Sequence, residues 1–452
     1  MQPVYNFTKM KNILLLGSGG RECALAWKLS QSPLCGTFFI APGNAGTSEY
    51  GINLPIQVND FAAIRQACLD YKIDILFPGP EDPLVAGIYD YFKSDTRLKH
   101  IIVVGPSKDG AQLEGSKAFS KKFMARHCIP TAAYQEFTAD SFERGVAYIK
   151  RSEPPYVIKA DGLAAGKGVV IAQSSVDAVK AFRAMVMNQQ FGDASKTVVI
   201  EQFLDGIELS VFAFTDGDNY VLLPEAKDYK RIGEGDTGLN TGGMGAISPV
   251  PIADEKFMQK VTERIIRPTI NGLKAEKIVY QGIIFFGLIK VKEEPYVIEY
   301  NCRLGDPETE VVLPRLENDL VELIVKMEEG KLREVKAEYS NKAAATVMLV
   351  AEGYPGDYEK GREMSGFEQV KGSHLFHAGT KQSLKSKVQS LKSGIQNAGS
   401  DENVIVTNGG RVLAITSLGD TLKQALQKSY ENAELIQYDG KYCRKDIGWE
   451  FL

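Results

Sequence analysis

Histidine is nearly missing. Four residues in 452 (His100, His127, His374, His377) are too few and too scattered for a histidine-rich metal centre. Cysteine is scarce as well: Cys23, Cys35, Cys68, Cys128, Cys302 and Cys443 form neither a C-x-x-C pair nor a ladder. That spacing excludes a zinc knuckle or a disulfide framework and predicts reduced thiols in a cytoplasmic protein. No run of about 18 apolar residues is present, so no membrane helix is expected, and the N-terminus lacks the apolar core of a signal peptide. Excess charge is absent too. A net charge of −4 supplies no field for nucleic acid or an anionic membrane surface. There are no internal repeats or low-complexity tracts. The first nine residues are polar and irregular, and folded structure is expected from Met10-Lys11 onward. The length suits about three domains.

Glycine, by contrast, is concentrated where chemistry is expected. In Tyr156-Val-Ile-Lys-Ala-Asp-Gly-Leu-Ala-Ala-Gly-Lys-Gly-Val-Val-Ile-Ala172, two β-branched runs flank Gly162, Gly166 and Gly168 together with Lys159 and Lys167. This pattern predicts a β-hairpin over 156–172 with a flexible cationic tip. Its bare amides and lysines suit a polyphosphate; a long turn needing positive φ is the plainer alternative. It is not a Walker A loop, because three residues separate Gly162 from Gly166 and a glycine follows Lys167. With no hydroxyl placed for a metal, ligands must come from elsewhere.

Residues 11–112 alternate short apolar runs (Ile13–Leu16, Phe38–Ile40, Ile73–Phe77, Ile101–Val104) with helical patterns, which predicts a parallel doubly wound sheet with ligands at the carboxyl strand ends. Gly17-Ser-Gly-Gly-Arg-Glu22 after the first strand is not a dinucleotide fingerprint: Glu22 stands at the third glycine position, and no acidic ribose-binding residue follows the second strand. A glycine turn with Arg21 at a helix start suits a small anionic substrate, and equally a tight turn. Ser116 reads as the N-cap of a helix carrying Phe119, Phe123 and Met124 on its core face, with Lys117 in the first turn. A helix is expected near 174–187 and a strand over 197–204, ending on Glu201 and Gln202 with Glu208 just beyond.

Residues 227–249 form a second glycine-rich stretch, too long for a simple connection and expected to be a binding loop. A strand over 282–289, a turn at Glu293-Glu294-Pro295 and a strand over 296–302 follow. On the latter, Glu299 and Asn301 share one face, while Ile298, Tyr300 and Cys302 are expected to face the core. A carboxylate and an amide oxygen so placed are hard donors suited to Mg²⁺ bridging phosphates. After Arg303-Leu-Gly-Asp-Pro-Glu308, a helix near 316–328 leads into a third region, 341–452, with strands near 343–350, 376–379, 404–406 and 411–418, a helix near 420–434, and no evident catalytic cluster.

The order of these motifs resembles the ATP-grasp fold and, more closely, the glycinamide ribonucleotide synthetase (phosphoribosylamine–glycine ligase) family. The resemblance is carried by Gly17–Glu22, Gln112-Leu-Glu-Gly-Ser-Lys117, Ile158–Gly168, Asp236-Thr-Gly-Leu-Asn-Thr-Gly-Gly-Met-Gly245 and Asn301–Glu308, over about residues 11–440. It implies an N-terminal doubly wound, Rossmann-like domain (1–112), a central ATP-grasp domain of two lobes (113–330, lid lobe about 130–200) and a small mixed C-terminal domain (331–452). It further implies ATP and Mg²⁺ or Mn²⁺ as cofactors, glycine and 5-phosphoribosylamine as substrates, and a monomer with no nucleic-acid or membrane partner. Lys117, Lys159, Gly166, Lys167 and Gly168 would then hold ATP phosphates; Glu201, Gln202, Phe203, Leu204 and Glu208 the adenosine; Glu299 and Asn301 the metal. Gly19, Gly20, Arg21, Glu22, Pro80, Glu81, Asp236, Thr237, Thr241, Gly242, Gly243, Met244, Arg303 and Asp306 would surround the other substrates, with Arg303, Lys159 and Lys230 catalytic. The chain departs from the family pattern at Cys23 (usually His), Lys227 and Tyr229 (usually Gln and His) and Leu239 (usually Pro), which puts fine substrate contacts in question.

Overall fold

The structure, a computed structural model, describes residues 9–164, 167–384 and 403–452. Strands β1 (Lys11–Gly17), β2 (Cys35–Pro42), β3 (Ile52–Asn53), β4 (Ile75–Pro78) and β5 (Ile102–Val103) form a parallel sheet in the order β3-β2-β1-β4-β5. Because strand side chains alternate, Ile13 and Leu15 enter one core while Leu14 and Leu16 enter another. Both faces are covered: the helix Gly20–Ser30 packs into the first core, the helix Phe61–Asp70 into the second. This is why the strands read as unbroken apolar runs. Their carboxyl ends, with the glycine turn at Gly17–Gly20, point toward the rest of the chain.

After the two-residue β6 (Gly105–Pro106), strands β7 (Tyr134–Thr138), β8 (Tyr156–Ala160), β9 (Val169–Ala172) and β10 (Thr197–Gln202) make an antiparallel sheet, β7-β10-β8-β9. It carries its own core, including Phe137, Phe142, Phe182 and Ile200, under the helices Phe142–Arg151 and Ser175–Val186. The expected hairpin forms, with Lys159 opposite Val169 and Tyr156 opposite Ala172.

The remaining strands are β11 (Ile207–Thr215), β12 (Tyr220–Asp228), β13 (Arg231–Gly233), β14 (Thr237–Asn240), β15 (Gly245–Ser248), β16 (Tyr280–Val291), β17 (Glu294–Asn301), β18 (Ala343–Ala351), β19 (Ser373–His377), β20 (Thr380–Leu384), β21 (Asn403–Thr407), β22 (Arg411–Gly419) and β23 (Lys441–Tyr442). β13 with β14 and β20 with β21 are short ribbons; the others build one sheet, β17-β16-β11-β12-β15-β18-β22-β19, whose β16 also pairs with β6 and whose β18 also pairs with β23. The C-terminal strands β18, β19 and β22 therefore continue the central sheet and do not form one of their own. Four-residue β15 pairs with β12 on one side and β18 on the other, carrying the hydrogen-bond ladder across.

Three local expectations change. β17 starts at Glu294, so the turn is Lys292-Glu293, with Lys292 at φ 56°. Ile298 does not face the core: Gly287 pairs with Glu299 but Leu288 with Val297, so Ile298 is bulged out and Val297 takes the core position. A helix at Thr309–Arg315 follows the Arg303–Glu308 motif, and the next helix starts at Leu320 rather than near 316 because Asp319 caps it, accepting from Val321 and Glu322 amides. No described helix is long and apolar enough to cross a membrane.

Candidate active site

A cavity of about 410 Å³ opens where the three sheets meet. Of the residues expected from sequence, Arg21, Glu81, Lys117, Gly168, Glu201, Lys230, Thr241, Gly242, Glu299, Asn301, Arg303 and Asp306 line it. Those positions span almost 290 residues of chain and are brought together only by the fold.

Its cationic end is built on the hairpin and the helix Lys117–Arg126. Ser116 caps that helix, accepting from Phe119 N at 3.0 Å. Asp161 braces the same turn, accepting from Ala118 N at 2.7 Å and from Ser116 Oγ at 3.0 Å. The hairpin loop is thus fixed to the helix, and Lys117 Nζ reaches the Asp161 and Gly162 carbonyls at 3.4 and 3.3 Å. Behind it, Lys121 and Lys159 both place Nζ 3.1 Å from Glu201 Oε2, with side chains 2–6% exposed. The other oxygen, Glu201 Oε1, is buried without a partner. Burial pushes the Lys121 ammonium down to about 8 and also lowers Lys117. Three ammonium groups with too few carboxylates leave unmet positive charge beside the cavity, which suits phosphates. Lys121 was not legible as a site residue, because its pairing depends on β10 lying beside β8.

At the opposite wall, β17 presents Glu299 and Asn301 as expected, with Ile298 now beside them on the cavity. The Asn301 amide satisfies its neighbours when its nitrogen donates to Glu114 Oε1 at 3.0 Å and Tyr300 O at 3.2 Å, which leaves its oxygen free. Glu299 has no hydrogen bond or ion pair with the described residues. Among those residues no cluster of three His, Cys, Asp or Glu forms a closed metal cage. Two free hard oxygen donors without a cage fit a Mg²⁺-type ion that keeps substrate phosphates and water as its other ligands.

Arg303 is held between two carboxylates, with Nε 3.2 Å from Glu81 Oε2 and Nη2 2.8 Å from Glu114 Oε1. Glu114, missed in the sequence, also accepts from Cys302 N at 2.8 Å. Burial opposes Arg303's charge, but Glu114 and Glu81 outweigh it and raise its pKa. Arg21 donates to Glu22 Oε1 at 2.7 Å and to Leu304 O at 3.1 Å. Lys230 contacts Glu208 at 2.6 Å and lies 3.8 Å from Asp228. Glu308, on the same wall, accepts from Ser210 Oγ at 3.1 Å; burial and the Asp228 charge raise its carboxyl to about 7.

Several expected residues stand back from the cavity. Glu22 closes the glycine turn, accepting from Gly19 N at 2.6 Å, and Gly20 leaves room for Glu310, whose Oε1 lies 2.4 Å from where a Cβ would sit. Pro80 is the N-cap of the helix bearing Glu81. Lys159 lies behind the cavity wall, paired with Glu201, and Lys167 is exposed at the hairpin tip; Gly166 lies outside the described residues. Gln202 is exposed, Phe203 and Leu204 half-buried after β10, and Glu208 sits in an adjoining recess with Glu299 and Lys230. Asp236 and Thr237 lie on the exposed β13–β14 ribbon. Gly243, at φ +117°, passes so near Pro307 that a Cβ would sit 2.3 Å from Cδ. Met244 is fully buried, so its side chain is core and does not line the cavity.

The departures from the family pattern also find places. Cys23 is buried in the core beneath the N-terminal sheet, and Leu239 is 66% exposed on the ribbon. Lys227 and Tyr229 point away from the cavity: Lys227 Nζ lies 3.2 Å from Glu450 Oε1, and Tyr229 Oη donates to Glu450 Oε2 at 2.9 Å. Strand alternation explains this, since Asp228 between them faces the cavity.

The descriptions of the phosphoribosylglycinamide synthetase N domain, ATP-grasp (A) domain and C domain match residues 11–114, 115–309 and 344–450. The chain is 46% identical to phosphoribosylamine–glycine ligase of Haemophilus influenzae over 97% of its own length and 98% of the relative's. The crystal structure of phosphoribosylamine–glycine ligase from Thermotoga maritima superposes with a TM-score of 0.79 at 34% identity, covering 96% of this chain and 99% of that one. At 16% identity, the biotin carboxylase domain of Hydrogenobacter thermophilus 2-oxoglutarate carboxylase, solved with MgADP, shares the fold at a TM-score of 0.68 over 96% of this chain and 92% of that one. With all three domains matched in order and a relative aligned nearly end to end, the chain belongs to the phosphoribosylglycinamide synthetase family.

Proposed function

We propose that this chain joins glycine to 5-phosphoribosylamine, forming glycinamide ribonucleotide while ATP is cleaved to ADP and phosphate, as a step of purine synthesis. The observation that carries the site assignment is one cavity in which buried ammonium groups face a pair of free oxygen donors, with a carboxylate-clamped arginine between them.

The chemistry follows from charge. A carboxylate is a poor acylating agent, so the glycine carboxylate attacks the γ-phosphate, giving glycyl phosphate and ADP; the amine of phosphoribosylamine then displaces phosphate. Phosphoryl transfer needs mainly positioning and neutralisation of charge. Lys117 and Lys159 hold the ATP phosphates, with the tip Gly166-Lys167-Gly168 closing over them to exclude water from the acyl phosphate. Glu201 to Leu204 and Glu208 hold adenosine, where the unpartnered Glu201 Oε1 is an acceptor for an N–H of the base. Glu299 and Asn301 would hold Mg²⁺ or Mn²⁺, which would supply positive charge against the phosphate oxygens. Arg303 steadies charge on the transferred phosphoryl group or the acyl phosphate, and Lys230 joins the groups around glycine and phosphoribosylamine. Gly19, Gly20, Arg21, Glu22, Pro80, Glu81, the loop Asp236–Met244 and Asp306 enclose glycine and phosphoribosylamine, Glu22, Pro80 and Met244 by shaping the backbone. We also propose domain boundaries near 112 and 330. We further propose that it works as a monomer in the cytoplasm.

ADP release is measured with ATP and Mg²⁺, adding glycine and freshly made phosphoribosylamine separately and together. Release requiring both is expected, and Glu299→Ala should abolish it while leaving the fold intact. Release with a different carboxylate would overturn the substrates, and near-normal turnover in Glu299→Ala would overturn the metal site.

A further inference from the structure

Three sets of side chains from the C-terminal third grip the stretch between Lys227 and Gly245. Glu450 takes its start, through Lys227 and Tyr229. Arg444, fully buried, takes its middle, donating to Asp236 Oδ1 at 2.8 Å and Arg231 O at 3.2 Å, while Asp446 accepts from Gly235 N at 2.7 Å. At the far end both polar groups of Gly242 are occupied. Its N–H donates to Tyr354 Oη at 2.9 Å, and its carbonyl accepts from Arg411 Nη1 at 2.6 Å.

The same Nη1 donates to Asp306 O at 2.8 Å. One guanidinium nitrogen carries two hydrogens, and both are spent on these carbonyls. Asp306 Oδ1, 3.0 Å from Nη1, is therefore held by charge without a hydrogen bond and remains a buried acceptor with no partner. Asp306 Oδ2 accepts from Arg21 N at 3.3 Å, at the start of the first helix. Arg411, Asp306, Gly242 and Arg21 all line the cavity.

We propose that Arg411 is a positioning residue for the ligation. It locks the Gly242 peptide to the Asp306 backbone, so that Asp306 Oδ1 stands ready to accept from an N–H or O–H of the ribosylamine. This rests on the reading above that residues 241–243 and 303–306 face that substrate. The geometry asks for a guanidinium. Two coplanar hydrogens on one nitrogen must meet two carbonyls, and Arg411 Cζ sits 2.9 Å from where a Gly242 Cβ would be, so the planar group slides flat against the loop. A lysine ammonium supplies donors without the fixed fork.

The test is steady-state kinetics on Arg411→Ala, Arg411→Lys and Tyr354→Phe, varying each substrate in turn and recording the thermal midpoint. In Arg411→Ala, kcat/KM for the ribosylamine should fall about 100-fold, as for an ångström-scale misplacement, while KM for ATP stays within about twofold. Arg411→Lys should recover less than about a tenth of the lost activity, and millimolar methylguanidinium should restore Arg411→Ala but not Glu299→Ala. Full activity in Arg411→Lys, or no rescue by methylguanidinium in a folded Arg411→Ala, would overturn the role of Arg411. A loss confined to KM for ATP would instead overturn the placing of the ribosylamine at this end of the cavity. Should Arg411→Ala not fold, Tyr354→Phe decides: a loss of several-fold falling on the ribosylamine alone supports the clamp, and unchanged kinetics refutes it.

Discussion

Glu201→Gln is the sharpest probe of the cationic end. One carboxylate oxygen, Glu201 Oε2, serves two ammonium groups at 3.1 Å each, and all three side chains are 2–6% exposed. At an effective dielectric of about 20, each contact is worth ~5 kcal/mol of gross Coulomb attraction. Much of that offsets the cost of burying the ions, so the net loss on removing the shared carboxylate should be about 3–5 kcal/mol. The amide keeps the shape and one acceptor, but two facing ammonium groups lose their counter-ion and one should shed its proton. Urea unfolding followed by circular dichroism, on Glu201→Gln, Lys121→Met and the double variant, measures this. The double variant should be more stable than Glu201→Gln by at least about 1 kcal/mol, because removing one ammonium relieves the repulsion. Unfolding of Glu201→Gln within about 0.5 kcal/mol of wild type, or strict additivity in the double variant, would refute the shared-counter-ion account.

The depressed Lys121 ammonium sets a pH window. Its native value of about 8 lies below the ordinary 10.5, so between the two the native state holds fewer protons than the unfolded chain; the cost of burying the charge is fully present below about pH 8 and is relieved as pH rises toward 10.5. Wild type should therefore gain stability relative to Lys121→Met between about pH 7.5 and 9.5, by at most about 3 kcal/mol, and parallel pH profiles would contradict this. Gly243→Ala combines strain at φ +117° with a Cβ 2.3 Å from Pro307 Cδ. It should cost about 1–3 kcal/mol in thermal unfolding and lower turnover, whereas wild-type behaviour would mean the loop does not pack there. Tyr229→Phe removes a hydrogen bond to Glu450 outside the cavity; a loss of about 1–2 kcal/mol with kcat/KM within about twofold is expected, and a large kinetic change would place Tyr229 in the site.

What could be read from the sequence was local. The hairpin 156–172 announces itself by β-branched runs around glycines, the Ser116 cap by its position before a helical stripe, and the Glu299/Asn301 face by strand alternation. Alternation also marks its limit: one extra residue at Ile298 breaks the period, and nothing in Tyr296–Cys302 signals where the bulge falls. Glu114, Lys121, Arg411 and Arg444 stayed hidden for a different reason. Each looks like an ordinary surface charge until a strand from elsewhere is laid beside it. Met244 erred the other way, since a motif carries residues that shape a loop from beneath along with those that face outward.

The ladder through β15 has a consequence for how such a chain can be cut, joined or shortened. A piece ending before residue 343 would not be a simpler catalyst; it would present β15 as a bare edge, open to pairing with any other chain. The inner edge of β18 would be equally exposed on the other fragment. Although the family divides on paper into three consecutive blocks, the second and third are one continuous fabric. Fission at that seam invites aggregation.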